Sequence, residues 1–233
     1  MADFPFSTAL IVGVGPGISA SVARALAAAG VSVGLGARDV DKLRPLAEEI
    51  GARTFAVDTS DPAAVASLFE EADRSLGEAD VVVFNAGART PAPIPDLDPE
   101  TVRRDLEITA FGGFLVTQQA ARRMIPKGRG AILLTGATAS VKGFPNSSSF
   151  AMGKFALRGL AQSAARELAP QGIHVAHFVI DGPVRSAVRI DPADRPDSFL
   201  GPDGIAQTYL DILRQPRSAW TWEIELRTWV EKF

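Results

Sequence analysis

Lys154 follows Phe150 by four residues in the stretch SSSFAMGK, so on a helix the two side chains share one face, a turn apart. A hydroxyl or an imidazole beside that ammonium would make an acid–base pair, but a phenyl ring can neither give nor take a proton. Other hydroxyls crowd the neighbourhood: Thr135, Thr138, Ser140 and the run Ser147 to Ser149. At their ordinary pKa values they are poor acids, and serine-rich stretches are commonly plain loops. Cysteine is absent, which removes thiol nucleophiles, thiolate metal sites and disulfides. His174 and His177 are the only histidines, too few for a histidine metal centre, and both read as strand packing. Tyr209, the only tyrosine, falls in a late helix and reads as packing too.

A second group of residues has the chemistry to hold a dinucleotide. In GVGPGIS, Gly13, Gly15 and Gly17 permit a tight turn and a close backbone approach, and Ile18 opens a helix whose N-terminus offers N–H donors to a pyrophosphate. Ser19 stands where a further glycine would bring helix and strand closest. The bland alternative is a glycine turn that only packs a helix on a sheet. About twenty residues on, the next strand ends in GLGARDVDKL, where an acid would hold a ribose 2′-hydroxyl. Arg38 comes first there, and its planar guanidinium suits a 2′-phosphate, favouring NADP(H) over NAD(H); Asp39 reads as a cap for the following helix.

These groups need a scaffold, and the chain supplies one. Apolar runs of strand length, TALIVGV, VSVGLGA, RTFAVD, ADVVVFNAG, GAILLTG and IHVAHFVIDG, alternate with segments of helical period. The helices are ISASVARALAAAG, DVDKLRPLAEEIG, PAAVASLFEEADRSL, a long one over Glu100 to Met124, and Ser148 to Leu168. Such alternation predicts an α/β fold with one doubly wound parallel sheet (a Rossmann fold), helices on both faces, over a single domain from 1 to 233. Asp98 is an expected N-cap with Pro99 at the first helical position. RIDPADRPDSFLGPDG leaves the sheet, and WEIELR is a candidate last strand.

Of the 233 residues 46% are hydrophobic, enough for one well-buried domain. A net charge of −3 and a pI near 5.5 give no basic face for nucleic acid or an anionic membrane. MADFPFS carries no basic region, and the apolar stretch after it is broken by Gly13, Gly15, Pro16, Gly17 and Arg24, so neither a leader nor a membrane span is expected. A cytoplasmic protein is the expectation.

Together these pieces resemble the short-chain dehydrogenase/reductase family over essentially the whole chain. The glycine loop matches its spacing; VDTSD resembles the third-strand end, with Asp58 against the adenine. FNAG, with Asn85, Ala86 and Gly87, resembles the motif that lines the cofactor. FAMGK sits where the family has tyrosine-x-x-x-lysine, followed by the long helix and GIHV. IDGPVRS, with Gly182, resembles the motif after the sixth strand and places Ser186 near the nicotinamide carboxamide. The resemblance implies a tetrad of tyrosine, lysine, serine and asparagine, but the matching positions hold Phe150, Lys154, Ala137 and Thr109. Only Lys154 is retained, which resembles an atypical branch with phenylalanine in place of the tyrosine; RQPRSAWTWEIELR also looks like that branch. For Lys154 the resemblance implies hydrogen bonds to the nicotinamide ribose. It also implies a homodimer or homotetramer through the helices at 100–124 and 148–168, which carry Gly112, Gly113, Gly159 and Ala161.

Losing a positioned general acid lowers the rate about 10²–10⁴-fold, or roughly 3–5.5 kcal/mol of barrier. Proximity alone can contribute roughly 7–11 kcal/mol, so hydride transfer survives the loss. Two functions follow: an NADP(H)-dependent oxidoreductase of an unknown small carbonyl or alcohol with a degenerate tetrad, or a catalytically inactive dinucleotide-binding sensor or partner subunit.

Overall fold

The computed structural model describes residues 4–186 and 188–231. Seven strands form one parallel sheet in the order β3-β2-β1-β4-β5-β6-β7. They are β1 Thr8–Val12, β2 Ser32–Ala37, β3 Arg53–Ala56, β4 Val81–Phe84, β5 Gly130–Thr135, β6 Ile173–Asp181 and β7 Glu223–Arg227. Every residue of β4, β5 and β6 is buried, which is why these segments read as unbroken apolar runs rather than as alternation. WEIELR is indeed the last strand, with Glu223 opposite His177 in register.

Helices cover both faces. On one face α1 (Ile18–Ala28), α2 (Arg44–Ile50) and α7 (Pro202–Leu213) pack through Leu26, Leu46 and Leu210 against Ile11, Val83 and Phe178. On the other, α3 (Pro62–Leu76), α5 (Gly112–Met124) and α6 (Ser148–Leu168) close over Leu10, Val82, Ile132 and Val175. Chain order reverses between β1 and β4, so a crevice opens outside the carboxyl ends of those strands. No described helix is long and apolar enough to cross a membrane.

The helix expected over 100–124 is interrupted. Asp98 accepts from the Thr101 N–H (2.8 Å) and caps α4 (Pro99–Leu106), as its position implied. A π-helical turn at Glu107–Phe111 then separates α4 from α5 and carries Thr109 inward. Gly112 and Gly113 allow the close approach that follows. A Cβ on Gly112 would stand 2.8 Å from the Thr59 carbonyl oxygen, and one on Gly113 would stand 2.4 Å from Leu157 Cδ1. These two glycines and Ala161 therefore face the interior and not a partner subunit; only Gly159 has open space beside it.

Candidate active site

β1 delivers the chain into the glycine loop. Gly13 takes φ +87° and its N–H donates to the Gly36 carbonyl (2.9 Å); a Cβ there would meet the Ala86 nitrogen at 2.2 Å. Only glycine fits. Gly15 and Gly17 differ, since a Cβ on either would meet nothing within 4 Å, so the space above them is open to a ligand. α1 begins at Ile18, half-buried on the core, and its first turn holds no acid that would repel an anion. Ser19, at the missing glycine, is buried and ties the loop down: its hydroxyl donates to the Gly13 carbonyl (3.3 Å) and accepts from Asn85 Nδ2 (2.6 Å).

Around this loop lies a cavity of about 710 Å³, lined among others by Gly13, Gly15, Arg38, Asp58, Asn85, Ala86 and Gly87. Asp58 accepts from the Ser60 hydroxyl (2.6 Å) and backbone N–H (3.0 Å); these bonds hold its carboxyl below the ordinary range, helped by Arg104 and Arg38. Arg38 reaches the cavity exposed. Val40 is the boundary residue of the short turn Asp41–Leu43, but Asp39 accepts from the backbone N–H groups of Asp41 and Lys42 as a cap does, and also pairs with the Lys42 ammonium at 2.9 Å. The cradle fits a dinucleotide: open space over two glycines, an unopposed helix N-terminus and a cation at the second strand end.

The inner end of the cleft is where the chemistry must sit. Lys154 is buried on α6 and its Nζ donates to the Thr135 carbonyl at 2.8 Å. Burial pushes its ammonium down to a pKa of about 8. A Cβ on Gly87 would lie 3.5 Å from that Nζ and 3.8 Å from Thr109 Oγ1, and Thr109 Oγ1 accepts the Ala88 N–H (3.0 Å). The dinucleotide-type turn, the π-helical turn and α6 thus meet at Lys154. Ala137 stands on the turn after β5 with its N–H given to Ser140 Oγ (3.1 Å). Phe150 is half-buried, with Lys154 Nζ 5.8 Å from its ring centroid.

Several of the hydroxyls that crowd the sequence are committed elsewhere. Thr135 Oγ1 bonds the Tyr209 hydroxyl (2.7 Å), Ser149 donates to Asp105 (2.7 Å), and Thr138 reaches the Ile180 carbonyl at 3.5 Å. Tyr209 is core, stacked on Phe178 at 3.7 Å with its phenol pushed up by burial. His174 is packed against Trp220 and bonded to the Thr221 carbonyl (2.8 Å).

His177 is more than packing. Its Nδ1 meets Glu223 at 3.0 Å, and Glu223 takes a two-pronged bond from Arg158 (2.6 and 2.7 Å). Burial lowers His177 to a pKa of about 4, and Nε2 has no partner among the described residues. A Cβ on Gly136 would stand 2.3 Å from that nitrogen, so the ring fills the space beneath Gly136. The i, i+4, i+8 spacing of Phe150, Lys154 and Arg158 marks Arg158 as a neighbour on the same helix face; Glu223 carries no such local mark.

Gly182 (φ +140°) and Ser186 lie on the loop after β6 and do not line the cavity; Ser186 exchanges backbone bonds with Arg189 (2.9 and 3.2 Å). No cluster suited to a metal occurs among the described residues.

The profile of the short chain dehydrogenase family matches residues 7–193. The chain is 36% identical over 177 residues to cis-4-hydroxycyclohexanecarboxylate dehydrogenase of Sinomonas cyclohexanicum, a match covering 74% of this chain and 71% of the relative. A short-chain dehydrogenase from Rhodopseudomonas palustris superposes with TM-score 0.82 at 36% identity, covering 96% of this chain and 99% of that one. An alcohol dehydrogenase from Thermococcus sibiricus, complexed with 5-hydroxy-NADP, superposes with TM-score 0.86 at 26% identity, over 97% and 98% of the two chains. With the glycine cradle, the switch-point cavity and the buried lysine in place, the chain belongs to the short-chain dehydrogenase/reductase family of oxidoreductases.

Proposed function

We propose that the protein is an NADP(H)-dependent dehydrogenase/reductase of a small alcohol or carbonyl, from a branch in which Phe150 replaces the tyrosine and only Lys154 of the tetrad is kept. The observation that carries this reading is the buried Lys154 Nζ packed behind Gly87, a residue that lines the same cavity as Arg38. The bound nicotinamide supplies or accepts the hydride. Arg38 binds the 2′-phosphate, Asp58 faces the adenine, and Gly13 to Ile18 with Asn85 to Gly87 hold the rest of the dinucleotide. The NADP analogue in the Thermococcus sibiricus enzyme supports the same choice here.

Lys154 keeps the ribose task, since its Nζ has protons to donate beyond the one given to Thr135. It is also a titratable group beside Gly87 of the cavity wall, while Tyr209, Thr135 and Ser149 are bonded elsewhere. A pKa of about 8 suits proton delivery near neutral pH. In reduction, one Nζ–H proton goes to the substrate oxygen as hydride reaches the carbonyl carbon, and the neutral amine regains a proton from water. Phe150 walls the site. The name of the Sinomonas cyclohexanicum relative supports a small cyclic or comparable alcohol as substrate. The reading includes a cytoplasmic setting, in keeping with the absence of cysteine.

Fluorescence titration with NADPH and NADH, on wild type and Arg38→Ala, tests the cofactor assignment. NADPH should bind more tightly than NADH, and the variant should lose that preference. Equal wild-type affinities would remove the 2′-phosphate argument, and no binding of either would remove the dehydrogenase reading.

A further inference from the structure

Arg89 follows the Asn85–Gly87 turn by two residues, and its guanidinium carbon lies 5.7 Å from the centroid of Phe150. Lys154 Nζ lies 5.8 Å from the same centroid. Two cations therefore share one ring next to Gly87, which lines the cavity, in a chain whose net charge is −3. Neither has a carboxylate partner among the described residues: Lys154 gives its bond to the Thr135 carbonyl, and Arg89 has only the ring. Asp105, bonded to Ser149 beside Phe150, is already engaged there. Most arginines with an ordered contact meet an acid, as Arg24, Arg123, Arg158 and Arg185 do. Arg89 is instead held by a phenyl face with its donor edge uncommitted.

The chemistry of such a pair is specific. A guanidinium presents a rigid fork that matches the two oxygens of a carboxylate. The cation–π contact with Phe150 restricts the fork, so less freedom is lost when an anion arrives. Phe150 itself cannot compete for hydrogen bonds and offers an apolar surface to a carbon skeleton. The buried Lys154 adds positive potential without a counter-ion, and low-dielectric walls focus it.

Resting on the dehydrogenase reading for the identity of the site, we propose that Arg89 and Phe150 form the substrate's anion subsite. The substrate class is an organic carboxylate that carries the reacting alcohol or carbonyl; its skeleton lies on Phe150 and its carboxylate pairs with Arg89.

The test is calorimetric and needs no turnover. The full chain, saturated with NADPH to cover Arg38, is titrated with benzoate and with benzamide, which share a ring and differ in charge. Benzoate should bind at least about tenfold more tightly, the scale of one charged hydrogen-bonded contact. Arg89→Gln should abolish the difference and Arg89→Lys should keep part of it. Arg89 is exposed, so both variants should fold, and an unchanged thermal midpoint checks this. Equal binding of the two probes, a difference untouched by Arg89→Gln, or no benzoate binding at millimolar concentration would each overturn the subsite. NADPH binding in the same samples reports separately on the dehydrogenase reading. If NADPH fails to bind while benzoate discrimination persists in an Arg38→Gln background, that reading falls and the anion subsite stands.

Discussion

Phe150 and Lys154 pose one chemical question at the residue scale: how a site works when the group beside its lysine cannot titrate. Lys154→Ala should weaken NADPH binding by about 1–3 kcal/mol, the range for hydrogen bonds involving a charged group, as read by fluorescence titration. If instead affinity holds while turnover disappears, the lysine serves the proton alone. Its pH dependence has a definite sign. Burial lowers Lys154 from 10.5 to about 8, so the ammonium that reduction requires is present below that pH and is lost above it. Carbonyl reduction should therefore fall as pH rises through about 8, and oxidation of the alcohol should rise; a flat rate from pH 6.5 to 9.5 would count against Lys154 as the acid. His177 gives a separate signature in stability. Its pKa is depressed from 6.5 to about 4, so the unfolded chain binds the extra proton first as pH falls. Stability should be fully present above 6.5, decline between 6.5 and 4, and lose this component of its slope in His177→Gln, measured by denaturant unfolding. Restoring the family's groups in Phe150→Tyr with Ala137→Ser should raise carbonyl reduction if the hydride geometry is preserved.

Elements decide what individual residues are able to do. The glycine loop contains two kinds of glycine, and substitution should separate them. Gly13→Ala forces a side chain into the Ala86 backbone at a φ that L residues avoid, so both the thermal midpoint and NADPH binding should drop. Gly15→Ala meets nothing within 4 Å and has no such φ, so the midpoint should hold while NADPH binding weakens. Loss of stability in Gly15→Ala, or unimpaired binding, would mean that the open space is not the pyrophosphate seat. On α5, Gly113→Ala sets a Cβ 2.4 Å from Leu157 Cδ1, and overpacking of this kind costs about 1–3 kcal/mol by denaturant unfolding. The π-helical turn before it brings Thr109 to the Ala88 N–H, a service that an uninterrupted helix from 100 to 124 would not place in the same way.

The whole molecule leaves apolar surface on the helices that the family resemblance assigns to subunit pairing. Phe111 and Phe114 stack at 6.2 Å and are each 42% exposed, and Met152 and Phe155 on α6 are about as open. We propose that this face, rather than the inward glycines, buries itself in a homodimer or homotetramer. Light scattering at micromolar concentration should show an oligomer, and Phe114→Glu with Phe155→Glu should reduce its mass. A wild-type monomer would contradict the proposal. Trp220 stacks on His174, whereas Trp222, beside Arg158 and Arg166, and Trp229, beside Asp197, are exposed.

Sequence alone determined the sheet, its parallel winding and the glycine cradle, because these rest on local patterns: apolar runs, helical period and glycine spacing, each set within a few residues. It also carried the proposal that Phe150, Ala137 and Thr109 replace three tetrad side chains, since residue type at a motif position needs no coordinates. The tertiary structure decided which hydroxyls are free, because Thr135 and Tyr209 are bonded across 74 residues and Ser149 and Asp105 across 44. It also decided the partners of His177, Phe150 and Gly112, which come from β7, the loop after β4 and the turn after β3. Contacts of that kind depend on strand order and on how closely two helices approach, and no spacing along a single segment encodes them.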